Sequence, residues 1–199
     1  MKENLSKGEE TRRLIIERSA PVFMVKGIAA TSMSDVMEAA SLSKATAYVH
    51  FENKDILATE AVKYNMELLA NKVRSAVDKE KTAKGQLLAY LDVFKDPIHP
   101  PVEGGCPMIN FGMEADDTNP AIAQIVNQMV ELSQELIADI IQRGINNGEF
   151  NPSWNHKEFA TIMFAMIEGG VMICRVNGNN QKMRVINNHL KKMIEKQVR

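Results

Sequence analysis

The stretch TSMSDVMEAASLSKATAYVHFENK, residues 31–54, decides the fold. Ser32 stands where it can cap a helix, and Asp35, three residues on, can answer it. Such a capping box satisfies two amides that the first helical turn leaves without partners. Met33, Val36, Met37 and Ala40 then form an apolar stripe at helical spacing. Ser41-Leu42-Ser43 interrupts it, Ser43 can cap a second helix running from Lys44 to about His50, and Asn53 can cap a third. Two short helices joined by a tight turn describe a helix-turn-helix, whose second helix enters the DNA major groove.

Outward from this stretch, no segment alternates convincingly with period two, and the chain reads as all-α. A first helix is expected from about Ser6 or Glu9 to Lys26, with Ile16, Ala20 and Phe23 on one face. Pro21 should bend it, and Gly27 suits the left-handed position that stops it. The fourth helix should follow Asn53 and reach about Lys79. The polar run KEKTAK at residues 79–84 reads as a break. A fifth helix carries Leu87, Leu88, Leu91 and Phe94. Three prolines and two glycines between Asp96 and Gly105 exclude a helix there. Four more are expected: Cys106 to about Glu114, Pro120 to about Asn147, about Asn155–Val176, and about Asn180–Gln197. Asn119-Pro120 supplies a cap and a first helical residue, and Gly148 a stop.

With 199 residues, 45% hydrophobic and 25% charged, the chain suits one or two compact domains. Its net charge of −1 argues against nonspecific coating of DNA. Residues 1–54 hold eight basic and seven acidic side chains, a balance of only +1, so DNA binding depends on where the cations sit. No apolar run approaches the roughly 20 residues of a membrane helix. The polar start MKENLSKGEE lacks an apolar signal core. A cytoplasmic protein without membrane association is expected. Cys106 and Cys174 are too few for a disulfide framework and lack metal spacing, and His50, His99, His156 and His189 are scattered. No metal site, catalytic constellation or cofactor is expected, and hence no enzyme.

Residues Thr11 to Leu57 resemble the head of the TetR-type transcriptional repressors. The match runs through Phe23, Lys26-Gly27, Thr31-Ser32, Val36, Ala39-Ala40, Ser43-Lys44, Thr46, Tyr48, Phe51, Lys54 and Leu57. Two positions depart from the family: Ser41 and Ala45 stand where it usually or often has glycine. The resemblance implies an all-α homodimer: a three-helix DNA-binding head, residues 1–54, on a helical ligand-binding and dimerisation body, residues 55–199. Operator DNA and a small-molecule inducer are the implied partners. Thr31, Ser32, Ser43, Lys44, Ala45, Thr46, Tyr48, His50 and Lys54 are the expected DNA contacts. Lys44 can reach a phosphate or a guanine edge, and Thr46 a base. Tyr48 and Lys54 should meet phosphates, Lys54 at a helix start that already favours anions. Phe51 reads as core.

Gly105-Cys106-Pro107 and EADDTNP, residues 114–120, resemble the body of one TetR subgroup, some members of which sense electrophiles or oxidants through a nearby cysteine. Cys106 would stand near a helix N-cap, which favours thiolate; its other reading is a neutral cysteine lining an apolar pocket. Thirteen methionines suit an apolar ligand site. Phe94, Cys106, Phe111, Trp154, Phe159 and Met163 are the expected pocket residues, for a small apolar or aromatic inducer. The apolar run Phe159–Val176 with Gly169-Gly170 marks the expected dimer interface, the glycines allowing a partner helix close approach.

Overall fold

The computed structural model describes residues 6–199, apart from the side chains of residues 44 and 45. Among these residues run nine α-helices: α1 Lys7–Lys26, α2 Met33–Ala40, α3 Lys44–His50, α4 Lys54–Val77, α5 Ala83–Val93, α6 Pro107–Ala115, α7 Pro120–Asn146, α8 His156–Asn177 and α9 Gln181–Glu195. One antiparallel bridge, Phe150 to Val198, ties the last residues back to the α7–α8 loop.

Local chemistry sets the helix ends. Ser6 with Glu9 and Ser32 with Asp35 form full capping boxes. Ser43, Asn53, Thr82, Asn119 and Asn155 each accept one amide of the following first turn. The cap at Thr82 starts α5 inside the polar run expected to be a break. α1 continues through Pro21 to Lys26. The buried Asn65 of α4 donates to the neighbouring Ala20 carbonyl at 3.1 Å. Ser41 takes the left-handed turn position at φ 55°, which costs a non-glycine residue on the order of 1 kcal/mol.

The hydrophobic core runs without a break from head to body. α1, α2 and α3 pack together, and α1 also lies along α4. α4 in turn packs on α5, α6 and α7, while α7 packs on α8 and α8 on α9. One helix is therefore common to the head and the body.

Helix α8 corrects two expectations. Its mean hydropathy of 1.7 over an 18-residue window makes it long and apolar enough to cross a membrane by composition alone. Its length is used otherwise. Phe159, Met163, Ile167, Gly170, Val171 and Cys174 are buried against the rest of the chain. Ile162, Met172, Ile173 and Val176 face outward. The glycine pair divides between these faces. A Cβ on Gly170 would meet Ile186 and Met183 of α9 at 2.8 Å, so its close approach lies within the chain. A Cβ on Gly169 would meet nothing within 4 Å.

Candidate nucleic-acid interface and effector cavity

In the helix-turn-helix, Val36, Met37, Ala40, Ala47 and Phe51 are buried and fix α3 against α1 and α2. Burial of Ala47 and Phe51 on one side turns Tyr48 and Val49, 53% and 80% exposed, to the other. Ser32 and Ser43 are exposed, and Thr46 and His50 half-buried. The Ser32 hydroxyl donates to the Asp35 carboxylate at 2.9 Å, and the Ser43 and Thr46 hydroxyls lie 2.9 Å apart. Lys26 meets Asp35 at 2.7 Å. This contact, with the bonds from Ser32, holds the Asp35 carboxyl down at about 2. The carboxylate nearest the start of α2 thus has a basic partner. The expected contacts of Lys44 and Ala45 lie outside the described side chains.

Two expected DNA contacts have other work. Thr31 is 1% exposed and donates its hydroxyl to the Gly27 carbonyl at 2.6 Å, so it faces the interior. Lys54 donates to the carbonyl of Ile28 at 2.9 Å and to that of Ala29 at 3.5 Å. The amides of the same two residues donate to the Glu114 carboxylate of α6, at 2.9 and 2.7 Å. The α1–α2 loop is therefore gripped on its carbonyls by Lys54 and on its amides by Glu114. Asn110, one helical turn before Glu114, adds bonds to the carbonyls of Met24 and Gly104, both at 3.1 Å. The contacts of Lys54 and Glu114 with the loop, and of Asn110 with Met24, span 25 to 86 residues, and helical periodicity carries no sign of them. Val49 was legible only as one more apolar residue; its exposure follows from how α3 is seated.

In the body, a cavity of about 230 Å³ lies between α4, α5, α6 and α7. Leu69, Val73, Tyr90, Phe94, Met108 and Met129 are among its walls, and the half-exposed Leu132 stands at its edge. Of the expected pocket residues only Phe94 lines it. Cys106 lines a narrower neighbouring cleft, together with Phe94, Leu69 and Val171. Trp154 and Phe159 pack edge-on in a cluster with Phe150, ring centroids 5.0 and 4.8 Å apart, and Phe111 and Met163 are wholly buried core. Aromatic content alone does not separate a cavity wall from a packed cluster. The larger groove between α1 and α4, about 670 Å³, is lined by Glu9, Arg12, Arg13, Glu60, Lys63 and Glu67 as well as apolar groups, and is ill suited to an apolar molecule.

Cys106 occupies the N-cap of α6, where a helix end would favour its thiolate. Burial opposes this, and so does the Glu168 carboxyl facing it; together they push the thiol well above the usual cysteine range. The helix end is the weaker influence, because desolvation penalises the charged form directly.

The sequence-family model for bacterial regulatory proteins of the tetR family matches residues 15–61, and that for the tetracyclin repressor-like C-terminal domain matches residues 83–190. A TetR-family regulator from Cytophaga hutchinsonii is 34% identical, with a TM-score of 0.93 and 98% of each chain covered. One from Chloroflexus aurantiacus J-10-FL is 35% identical at a TM-score of 0.92, covering 98% of this chain and 99% of that one. The HTH-type transcriptional repressor DhaR of Mycobacterium sp. (strain GP1) is 21% identical over 177 residues, with 86% of each chain covered. Because head and body each match their own family model, and likeness above 30% identity runs nearly end to end, this chain belongs to the TetR family of DNA-binding transcriptional regulators.

Proposed function

We propose that this regulator is a cytoplasmic homodimeric repressor, released from its operator when a small, largely apolar molecule enters the 230 Å³ cavity. The observation that carries this reading is the double membership of α4. Leu57, Ala58, Ala61 and Val62 belong to its buried face along the half that begins at the head, while Leu69, Val73 and Val77 wall the cavity. α6 gives a second connection, with Met108 in the cavity wall and Glu114 on the α1–α2 loop. A ligand that moves either helix changes how the head is held. The relative from Mycobacterium is named a repressor, which favours repression over activation.

On the DNA side, α3 is the helix that enters the major groove. Tyr48 gives its hydroxyl to a phosphate, Val49 offers its methyls to a thymine methyl, and Lys44, Ala45 and Thr46 complete the base-reading edge. Ser32, Ser43 and His50 flank the backbone. The outward stripe Ile162, Ile173 and Val176 of α8, open at Gly169, supplies an apolar face for a second copy. Two-fold symmetry then calls for a roughly palindromic operator.

The energetics are modest. Lowering operator affinity a hundredfold requires about 2.7 kcal/mol of differential ligand binding. Burying about 110 Å² of apolar ligand surface in one state only would supply it, at 25 cal/mol per Å². Gel shifts with DNA from upstream of the protein's own gene, with and without small apolar compounds, test the reading. Binding no tighter than to random duplex at physiological salt refutes the repressor assignment. A thiol switch at Cys106 is the competing version, and the thiol's burial weighs against it. Release of Cys106→Ser by a noncovalent ligand excludes that version, whereas loss of every release with DNA binding intact establishes it.

A further inference from the structure

Tyr90 of α5 and Ser133 of α7 are the two hydroxyls in the walls of the 230 Å³ cavity. Ser133 spends its proton on its own helix: the hydroxyl donates to the Met129 carbonyl at 2.8 Å, with the Met108 sulfur 3.9 Å away. Tyr90 is 2% exposed, and among the described residues its hydroxyl enters no hydrogen bond. The unpaired side-chain atoms sealed away from any open space belong to Glu168, Asn180 and Asn187. The Tyr90 hydroxyl is not one of them, so it reaches open space, and the space that Tyr90 lines is the cavity. Burial, with the Glu168 carboxyl adding to it, keeps the phenol protonated; the nearby Ser133 hydroxyl opposes this only weakly. The cavity therefore holds a donor with nothing to receive its proton.

The charged groups of the walls select neither sign. Arg74 and Asp78 stand one turn apart at the end of α4, both exposed and opposite in charge. Charges in contact with water contribute little each, and a ligand charge that suited one would meet the other beside it. Deeper in, Leu69, Val73, Phe94, Met129 and Leu136 leave the phenol as the polar group with an unmet demand. A hydrocarbon that filled the cavity would strand that O–H away from water, whereas an accepting oxygen would satisfy it. A site built around such a donor discriminates against the analogue that lacks the acceptor.

We propose that the effector is an uncharged molecule with a small apolar body and one hydrogen-bond-accepting oxygen of the carbonyl kind, as in a ketone or an ester, which takes the proton of the Tyr90 hydroxyl. This rests on the reading of the cavity as the effector site. It adds to an apolar pocket the one polar group that a ligand there must answer. The cavity is below the roughly 300 Å³ at which drug-sized pockets begin, so the apolar body is small. The Tyr90 and Phe94 rings, 5.4 Å apart and tilted by 38°, give that body aromatic walls.

A matched pair of probes tests it on the full-length protein. Acetophenone and α-methylstyrene have the same shape, and a methylene replaces the carbonyl oxygen in the second. Tyr90→Phe removes the donor and keeps the ring. Calorimetry should show this variant binding acetophenone roughly three- to tenfold more weakly relative to α-methylstyrene than the wild type does, the range of one hydrogen bond. Equal changes for the two probes, or binding of α-methylstyrene alone to the wild type, overturn the role of the phenol and leave the cavity reading intact. Benzoate and benzylammonium, similar in size but charged, should both bind the wild type more weakly than acetophenone. Tighter binding of either makes Arg74 or Asp78 the selecting group and overturns the uncharged class. Failure of every probe to bind the wild type or to release operator DNA defeats the cavity reading, and this proposal with it. If the variant does not fold, the infrared carbonyl stretch of acetophenone bound to the wild type decides: it should lie below its position in cyclohexane, and an unshifted band overturns the hydrogen bond.

Discussion

Replacing Glu114 with alanine should uncouple head from body at a cost that can be worked out from two hydrogen bonds. The carboxylate accepts the Ile28 amide at 2.9 Å in a partly buried setting and the Ala29 amide at 2.7 Å in an exposed one. A bond to a charged group contributes about 1.5–3 kcal/mol when shielded and less when water competes. We take about 1.5–2 kcal/mol for the first and about 0.5–1 for the second, a total of about 2–3 kcal/mol. Little can replace the lost acceptor. The loop carbonyls are held by Lys54, and Gly27 beside them sits at φ 83° with the Glu114 oxygens 3.1–3.2 Å from where its Cβ would be. Urea unfolding at fixed protein concentration should show a lower midpoint with an unchanged slope. Because the loop leads into α2, operator affinity should fall as well, even though Glu114 is on α6 and outside the proposed interface. Glu114→Gln keeps one acceptor oxygen and should lose about half as much. A stability change under 0.5 kcal/mol for Glu114→Ala, with operator affinity unchanged, would refute the idea that α6 holds the head through this carboxylate.

Four further outcomes follow from particular residues. The Glu168 carboxyl is raised from 4.5 to about 7, so its protonated form is favoured by folding. Its contribution is fully present below pH 4.5 and lost as pH rises through about 7, about 3 kcal/mol across that window; Glu168→Gln should flatten the pH dependence of thermal unfolding there, and an unchanged profile would contradict it. Gly144→Ala should cost about 1–3 kcal/mol, since the new methyl would sit 2.3 Å from the Phe150 ring; a melting temperature equal to wild type would show that the ring gives way freely. Tyr48→Phe should weaken all duplexes alike, whereas Val49→Ala should change which bases are preferred; selection from a randomised duplex pool separates the two, and an unshifted preference in Val49→Ala removes that residue from base reading. Ile173→Glu should dissociate the dimer, because an isologous interface meets the substitution twice; light scattering that still reports a dimer would place the interface elsewhere.

The sequence by itself determined the elements and the head. Capping residues and apolar periodicity are local signals, and each helix boundary depends on bonds within about four residues. Ser32, Ser43, Asn53 and Asn119 therefore appear in the sequence as the caps they are in the fold. The helix-turn-helix was legible for the same reason, since its turn and its buried face lie within two dozen residues. Only the tertiary structure decided how these parts are used. Thr31 and Lys54 are polar residues in a DNA-binding segment, and a partner twenty-odd residues away or less claims each: Gly27 for one, the Ile28 and Ala29 carbonyls for the other. The grip of Glu114 on the loop spans more than eighty residues. The body shows the same division. Phe94 and Trp154 are alike in composition terms, yet one walls a cavity and the other fills a cluster, because packing of helices remote in sequence fixes which side chain meets empty space. Cys106 lies at a helix start in both readings, but only the fold sets Glu168 and an apolar interior around its thiol and so reverses the direction in which its acidity moves.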